Sequence, residues 1–167
     1  MRVREMHSAE AGDAVDAVFH GLSPRSRYLR FHAPVPRLTA SMRRRLTDLD
    51  GHRKAAVVAE CRRQPIGIAR LIATGDDAAE IALAVVDPWQ RRGVGTKLIA
   101  ALSRLATDLR YAELHGDVLG ENQPMLHLVR RAFPGARLTR AEDDIVRVTY
   151  PLTFELTHED LVAGLRW

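Results

Sequence analysis

The sequence predicts a mixed α/β domain on a largely antiparallel sheet, and three observations lead there. Short β-rich runs follow one another before residue 86, a strand–turn–helix unit occupies 81–109, and a further strand–helix–strand passage runs from 112 to 152. A doubly wound parallel sheet would alternate strands and helices from the start, which this order does not do. The expected sheet has six or seven strands, with about four flanking helices and one more at the C-terminus. A length of 167 residues suits a single domain, with 1–150 as core and 151–167 as a C-terminal extension.

Each element has a local reason. Val3-Arg4 begins a short edge strand, and Ser8 is placed to cap a helix that carries Val15, Val18, Phe19 and Leu22 on one face and stops near Gly21. The stretch from Leu22 to Pro34 mixes arginine, aromatics and proline without a clean period. It reads as a connector with a short helix whose Tyr28, Leu29 and Phe31 turn inward, or as a wall of a binding site. Thr39 opens a second helix reaching about Leu49; its consecutive Arg43, Arg44 and Arg45 point in different directions and form a solvated face. Ala55–Glu60 and Ile66–Ala73 read as a hairpin across Arg62-Arg63-Gln64-Pro65, and Thr74-Gly75-Asp76-Asp77 turns the chain into a central strand, Ala79–Val86. Beyond the next helix, Ala112–Val118 is a strand and Met125–Phe133 a helix ended by Pro134-Gly135. Arg137–Arg140 and Ile145–Leu152 form a closing hairpin. Thr157 would cap a tail helix.

Composition narrows the function. With 46% hydrophobic and 28% charged residues the chain is ordinary for a soluble globular protein. No apolar run has the length of a membrane span, and Met1-Arg2-Val3-Arg4-Glu5 is no signal peptide, so the expected setting is cytoplasmic without membrane attachment. The single cysteine, Cys61, at a strand end, allows no internal disulfide and offers no zinc cluster; no metal is expected. A net charge of +4 suits a polyanionic ligand. Aromatics at 5% argue against stacking platforms, so nucleic acid is not an expected partner.

The most informative stretch is Val85-Val86-Asp87-Pro88-Trp89-Gln90-Arg91-Arg92-Gly93-Val94-Gly95-Thr96 with the helix it opens, whose apolar period runs from Lys97 to Leu109. Gly93 and Gly95 permit a tight turn. Free amides at a helix start make an anion seat, and Arg91 and Arg92 add charge beside it, so a pyrophosphate is the natural guest. Leu98 breaks any Gly-x-Gly-x-x-Gly run, and no Gly-Lys-Ser/Thr follows, which sets aside the dinucleotide and P-loop signatures.

The spacing Gln90-x-x-Gly93-x-Gly95 resembles the acetyl-CoA signature of GNAT-type N-acetyltransferases. Two further strings, Leu22-Ser23-Pro24-x-Ser26-x-Tyr28-Leu29-Arg30-Phe31 and Glu121-Asn122-Gln123-Pro124-Met125-Leu126, are similar to the catalytic domain of bacterial Pat-type protein-lysine acetyltransferases. The likeness covers roughly residues 1–150. It implies a GNAT fold, in which the central strand and its successor splay apart at the acetyl-CoA cleft. It also implies acetyl transfer from acetyl-CoA, as co-substrate, to a primary amine: a protein lysine, or alternatively a small-molecule amine. A non-catalytic acyl-CoA sensor or interaction module is the other alternative, and the assembly expected is a monomer or homodimer.

Site residues follow from the same likeness. Backbone groups of Ala84, Val85 and Val86 would meet the pantetheine arm. Gln90, Arg91, Arg92, Gly93, Val94, Gly95 and Thr96 would hold the pyrophosphate, and Asn122 would contact the arm as well as cap its helix. Glu80 heads the central strand, where a carboxylate entering an apolar run must face solvent, a partner or a cleft. From the residues alone a solvated strand end and a general base stand level, and the resemblance implies the base. Asp76 and Asp77, in a turn, and Glu113, at a strand start, are weaker carboxylates. Val129 occupies the position where many relatives carry a thiolate-protonating tyrosine, so no general acid is assigned, and His127 on the same helix reads as exposed or structural. Without an activated nucleophile, direct attack by the amine is expected over an acyl-enzyme.

Overall fold

A computed structural model describes residues 1–152 of the chain; the expected tail helix after Thr157 lies outside the described residues. Seven strands form one sheet in the order β1-β2-β3-β4-β5-β7-β6. They are β1 (Arg2–Glu5), β2 (Lys54–Cys61), β3 (Gln64–Ala73), β4 (Ala78–Val85), β5 (Glu113–Leu119), β6 (Arg137–Arg140) and β7 (Ile145–Pro151). Every neighbouring pair is antiparallel except β4 and β5. The mixed, mostly antiparallel sheet is thus the expected one.

Five helices flank it: α1 (Ser8–His20), α2 (Pro24–Phe31), α3 (Ala40–Thr47), α4 (Val94–Asp108) and α5 (Gln123–Ala132). On one face, α1 lays Val15 and Val18 over β3, with α2 and α3 beside it. On the other, α4 covers β2–β4 with Leu98, Ile99 and Leu102, each at most 2% exposed. Burying side chains of this kind stabilises by about 1.5–3 kcal/mol apiece. None of the described helices is long and apolar enough to cross a membrane.

Several boundaries differ from expectation for local reasons. Ser8 is the first helical residue of α1, not its cap: His7 occupies the cap position and donates its N–H to the Glu10 carboxylate at 3.1 Å. The short helix expected within the 22–34 connector is α2, which forms because Ser23 accepts from Ser26 N–H at 3.2 Å and Pro24 fits the first turn. Its Tyr28, Leu29 and Phe31 are half-buried, not core. The β2–β3 connection is only Arg62-Arg63, both at positive φ (51° and 67°), so Gln64 and Pro65 already belong to β3. Pro65 is tolerated there because it faces Glu60 at a register shift in β2. The helix after the glycine turn starts at Val94, three residues before its apolar period shows.

Candidate active site

The parallel pairing of β4 and β5 is short. It runs Ala78–Glu113, Ala79–Leu114 and Glu80–His115 and then ends, while β4 continues to Val85 and β5 to Leu119. Past the fork β5 pairs only with β7, and β4 only with β3. At about 3.3 Å per residue, Ile81–Val85 leaves about 16 Å of strand edge open on the β5 side. Gly116 marks the fork: a Cβ there would stand 2.8 Å from the Ile81 carbonyl oxygen, so that carbonyl points across at β5. Peptide groups alternate edges along a strand, which turns those of Ile81, Leu83 and Val85 into the gap. The Val85 carbonyl accepts from Gln90 Nε2 at 3.0 Å, and Val86 N–H donates back to the Ile66 carbonyl of β3.

Glu80 occupies the last paired position before the fork, between Ile72 on β3 and His115 on β5, and it is exposed. Period-two alternation puts it on the α1/α2 face with Ala82 and Ala84. His115 shares a 2.8 Å hydrogen bond with the Thr74 hydroxyl. One register step on, Arg147 donates to Asp117 from Nε and Nη2 at 2.8 Å each, which holds the Asp117 carboxyl below the usual carboxylate range despite its partial burial.

At the far end of the open edge, Asp87–Trp89 makes a single 3₁₀ turn, Arg91 takes a φ of 58°, and Gly93, at φ 78°, caps α4. The first bond inside the helix is Lys97 N–H to the Gly93 carbonyl, so the amides of Val94, Gly95 and Thr96 precede any intrahelical acceptor. The two glycines have different jobs. A Cβ at Gly93 would meet nothing, and its requirement is conformational. At Gly95 a Cβ would stand 2.8 Å from Leu128 Cδ2, the tip of a side chain on α5, so the glycine lets α5 come close.

The three sequence strings interlock. Asp87 Oδ1 accepts from Ser23 N–H at 3.3 Å and from Gln90 Nε2 at 3.2 Å, and Gln90 Nε2 also reaches the Ser26 hydroxyl at 3.2 Å. Burial pushes the Asp87 carboxyl up, but hydrogen bonds from Ser23 and Ser26 outweigh it and leave it below its ordinary value. Across the cleft mouth, Arg25 pairs with Glu121 at 2.7 Å; both are exposed, so the pair holds position more than it stabilises. Asn122 caps α5, its Oδ1 accepting from Met125 N–H at 3.2 Å. Val129, 2% exposed, is part of the core and carries no proton donor; His127 is exposed.

The sequence marks Arg30 only as a member of the Leu22–Phe31 string, and it assigns no role to Arg70. Both line a pocket, partly open to solvent, between α1, α2, α3 and the sheet, whose other walls include Val15, Phe19, Leu22, Ile68 and Ala82. Arg70 is 6% exposed; its Nη2 donates to the Arg45 carbonyl at 3.0 Å and its Nε has no acceptor among the described residues. Burial first and the charge of Arg70 second pull the Arg30 guanidinium down to about 10, with Glu80 acting in the opposite sense; it remains charged at neutral pH. The only signal in the sequence was an arginine inside a β-branched strand, Ile68-Ala69-Arg70-Leu71-Ile72.

The family model described as the acetyltransferase (GNAT) family matches residues 17–133, more than half of the chain. The chain belongs to the GNAT acetyltransferase family. It is therefore an acetyl-CoA-dependent N-acetyltransferase. Among solved structures, this GNAT enzyme is similar to the GNAT domain of S. lividans PAT, with a TM-score of 0.83 and 28% identity over 90% of each chain. Two more distant structures share the fold. One is a phosphinothricin acetyltransferase from Sinorhizobium meliloti in complex with acetyl-CoA (TM-score 0.69, 17% identity, 95% and 96% of the two chains). The other is yncA from Salmonella typhimurium with its cofactor acetyl-CoA (TM-score 0.67, 15% identity, 93% and 96%). None of the curated proteins matches the chain.

Proposed function

We propose that the enzyme acetylates a primary amine by direct attack, with Glu80 as general base. The observation that carries this reading is the open β4 edge, with a carboxylate at the fork and a row of free helix-start amides at its other end. Those ends fit the donor. Val94, Gly95 and Thr96 amides, flanked by Arg91 and Arg92, suit a pyrophosphate. The strand edge from Ile81 to Val85 offers amide and carbonyl groups to an extended arm, and an N–H from this edge is suited to polarising the thioester carbonyl. By the family likeness, Ala84, Val85, Val86 and Asn122 would lie along that arm. Acetyl-CoA supplies the acyl group when bound, in the cytoplasm.

The proton accounting is simple. The acceptor arrives as an ammonium and loses one proton to Glu80, directly or through a water, before nitrogen attacks. A C–N bond forms, the C–S bond breaks, and the electron pair leaves on sulfur. The second nitrogen proton neutralises the departing thiolate, and no side chain at Val129 takes part. Balanced, ammonium and acetyl-CoA give acetamide, CoA thiol and one proton to solvent.

For the acceptor, the α2 string and the likeness to S. lividans PAT support a protein lysine. A small-molecule amine is the second reading, and the pocket beneath α2 lined by Arg30 and Arg70 favours it. The test is thiol release from acetyl-CoA with a panel of lysine peptides, polyamines and amino acids, run beside Glu80→Gln. General-base loss lowers kcat by about 10²–10⁴. CoA binding without turnover on any acceptor would sink the enzyme reading and leave an acyl-CoA sensor.

A further inference from the structure

We infer that the cavity beneath α2 is an acceptor subsite for an apolar α-amino acid, its carboxylate held by Arg30 and Arg70 and its amine turned toward Glu80. The inference rests on acetyl transfer in its small-molecule form. Two guanidiniums line one cavity, yet no ion pair joins either to a carboxylate among the described residues. The acid that acts on Arg70 from a distance, Asp48, is already paired with Lys54. Arg70 Nε is buried with a proton and no acceptor, an arrangement costly to leave unmade. A buried donor without an acceptor on Arg70, beside the half-buried and carboxylate-free guanidinium of Arg30, suits the binding of an anion.

The anion must be amphipathic, and it must carry a cation. The remaining walls, Val15, Phe19, Leu22 and Ile68 among them, are hydrocarbon and suit an aliphatic or aromatic side chain. Glu80 shares the sheet face with Arg70, since Arg70 stands opposite Ala82 and Glu80 lies two residues along. Diagonal neighbours of this kind are about 7–8 Å apart at the backbone. Glu80 acts electrostatically on Arg30 but makes no ion pair with it or with Arg70. A zwitterion fills that gap with alternating charge: guanidinium, carboxylate, ammonium, carboxylate, each contact a charge-assisted hydrogen bond. The ammonium thereby reaches Glu80, the group that must deprotonate it. A lysine side chain on a protein would bring no carboxylate to the arginines.

Calorimetric titration of the full chain tests this without turnover, using L-leucine, L-methionine and L-phenylalanine beside two fragments of leucine, 3-methylbutylamine and 4-methylpentanoate. At least one amino acid should bind, and at least tenfold more tightly than 3-methylbutylamine. Arg70→Met or Arg30→Met should remove that advantage while leaving the amine's affinity unchanged. If circular dichroism shows that Arg70→Met fails to fold, Arg30→Met and the fragment comparison on the native chain still decide. Binding of the amine as tight as that of the amino acid, or no binding of any of the three, overturns the inference. An amino acid that binds without being acetylated leaves a carboxylate site and overturns its role as an acceptor subsite. Acetylation of a lysine peptide with no amino-acid binding overturns the inference and leaves acetyl transfer by Glu80 standing.

Discussion

Replacing Gly116 by alanine should separate the strand fork from the rest of the fold. The added methyl would lie 2.8 Å from the Ile81 carbonyl oxygen and 3.7 Å from its Cγ1. Ordinary contact begins near 3.4 Å, so one backbone must retreat by about 0.6 Å. Neither is free to do so: Gly116 is paired with Val148 on β7, and Ile81 with Leu71 on β3. Overpacking against fixed neighbours costs about 1–3 kcal/mol. For a chain of this size each kcal/mol lowers Tm by about 2–4 °C, giving a fall of about 2–12 °C. The displaced β4 edge also carries the donor, so kcat/KM for acetyl-CoA should fall about tenfold or more. Gly75→Ala is the control, because its Cβ meets nothing, and it should stay within about 0.5 kcal/mol of the native chain. Differential scanning calorimetry and initial rates read both effects. A Gly116→Ala protein that melts with the control and keeps the native kcat/KM refutes the account of the fork.

Two other predictions concern the frame around the site. Arg4 bonds Glu10 at 2.7 Å and Glu60 at 2.6 Å, and the Arg4 hydrogen bond holds the Glu10 carboxyl down at about 2 against an ordinary 4.5. A depressed folded-state pKa gives stability that is present above 4.5 and lost as pH falls toward 2. Urea midpoints measured across that window should therefore decline less steeply for Glu10→Gln than for the native chain; parallel curves would contradict the assignment. Ser26→Ala and Asp87→Ala remove members of one hydrogen-bond network. Their combined destabilisation should depart from the sum of the two by about 0.5 kcal/mol or more, and additivity would show that the two strings are not coupled.

Much of this enzyme was written locally. Strand-forming runs, the Asp87-Pro88 stop, the Gly93 turn and the Asn122 cap each rest on neighbours a few residues away, so periodicity and turn chemistry placed them in order before any packing was considered. Mixed local signals carry less: the short helix α2 was legible but the half-burial of Tyr28, Leu29 and Phe31 was not, and α4 starts three residues before its apolar period because its first turn is set by a glycine cap and not by an apolar stripe. The length over which β4 and β5 remain paired was decided only in three dimensions, since it depends on how Gly116 meets Ile81. So was the purpose of Gly95, whose partner Leu128 arrives from another helix. Arg70 shows the difference most plainly. In the sequence it is an arginine in a strand; only the packing of α1, α2 and α3 over that strand buries its guanidinium beside Arg30 and diagonal to Glu80. Burial and partnership join residues far apart along the chain, and they exist only after the chain has folded.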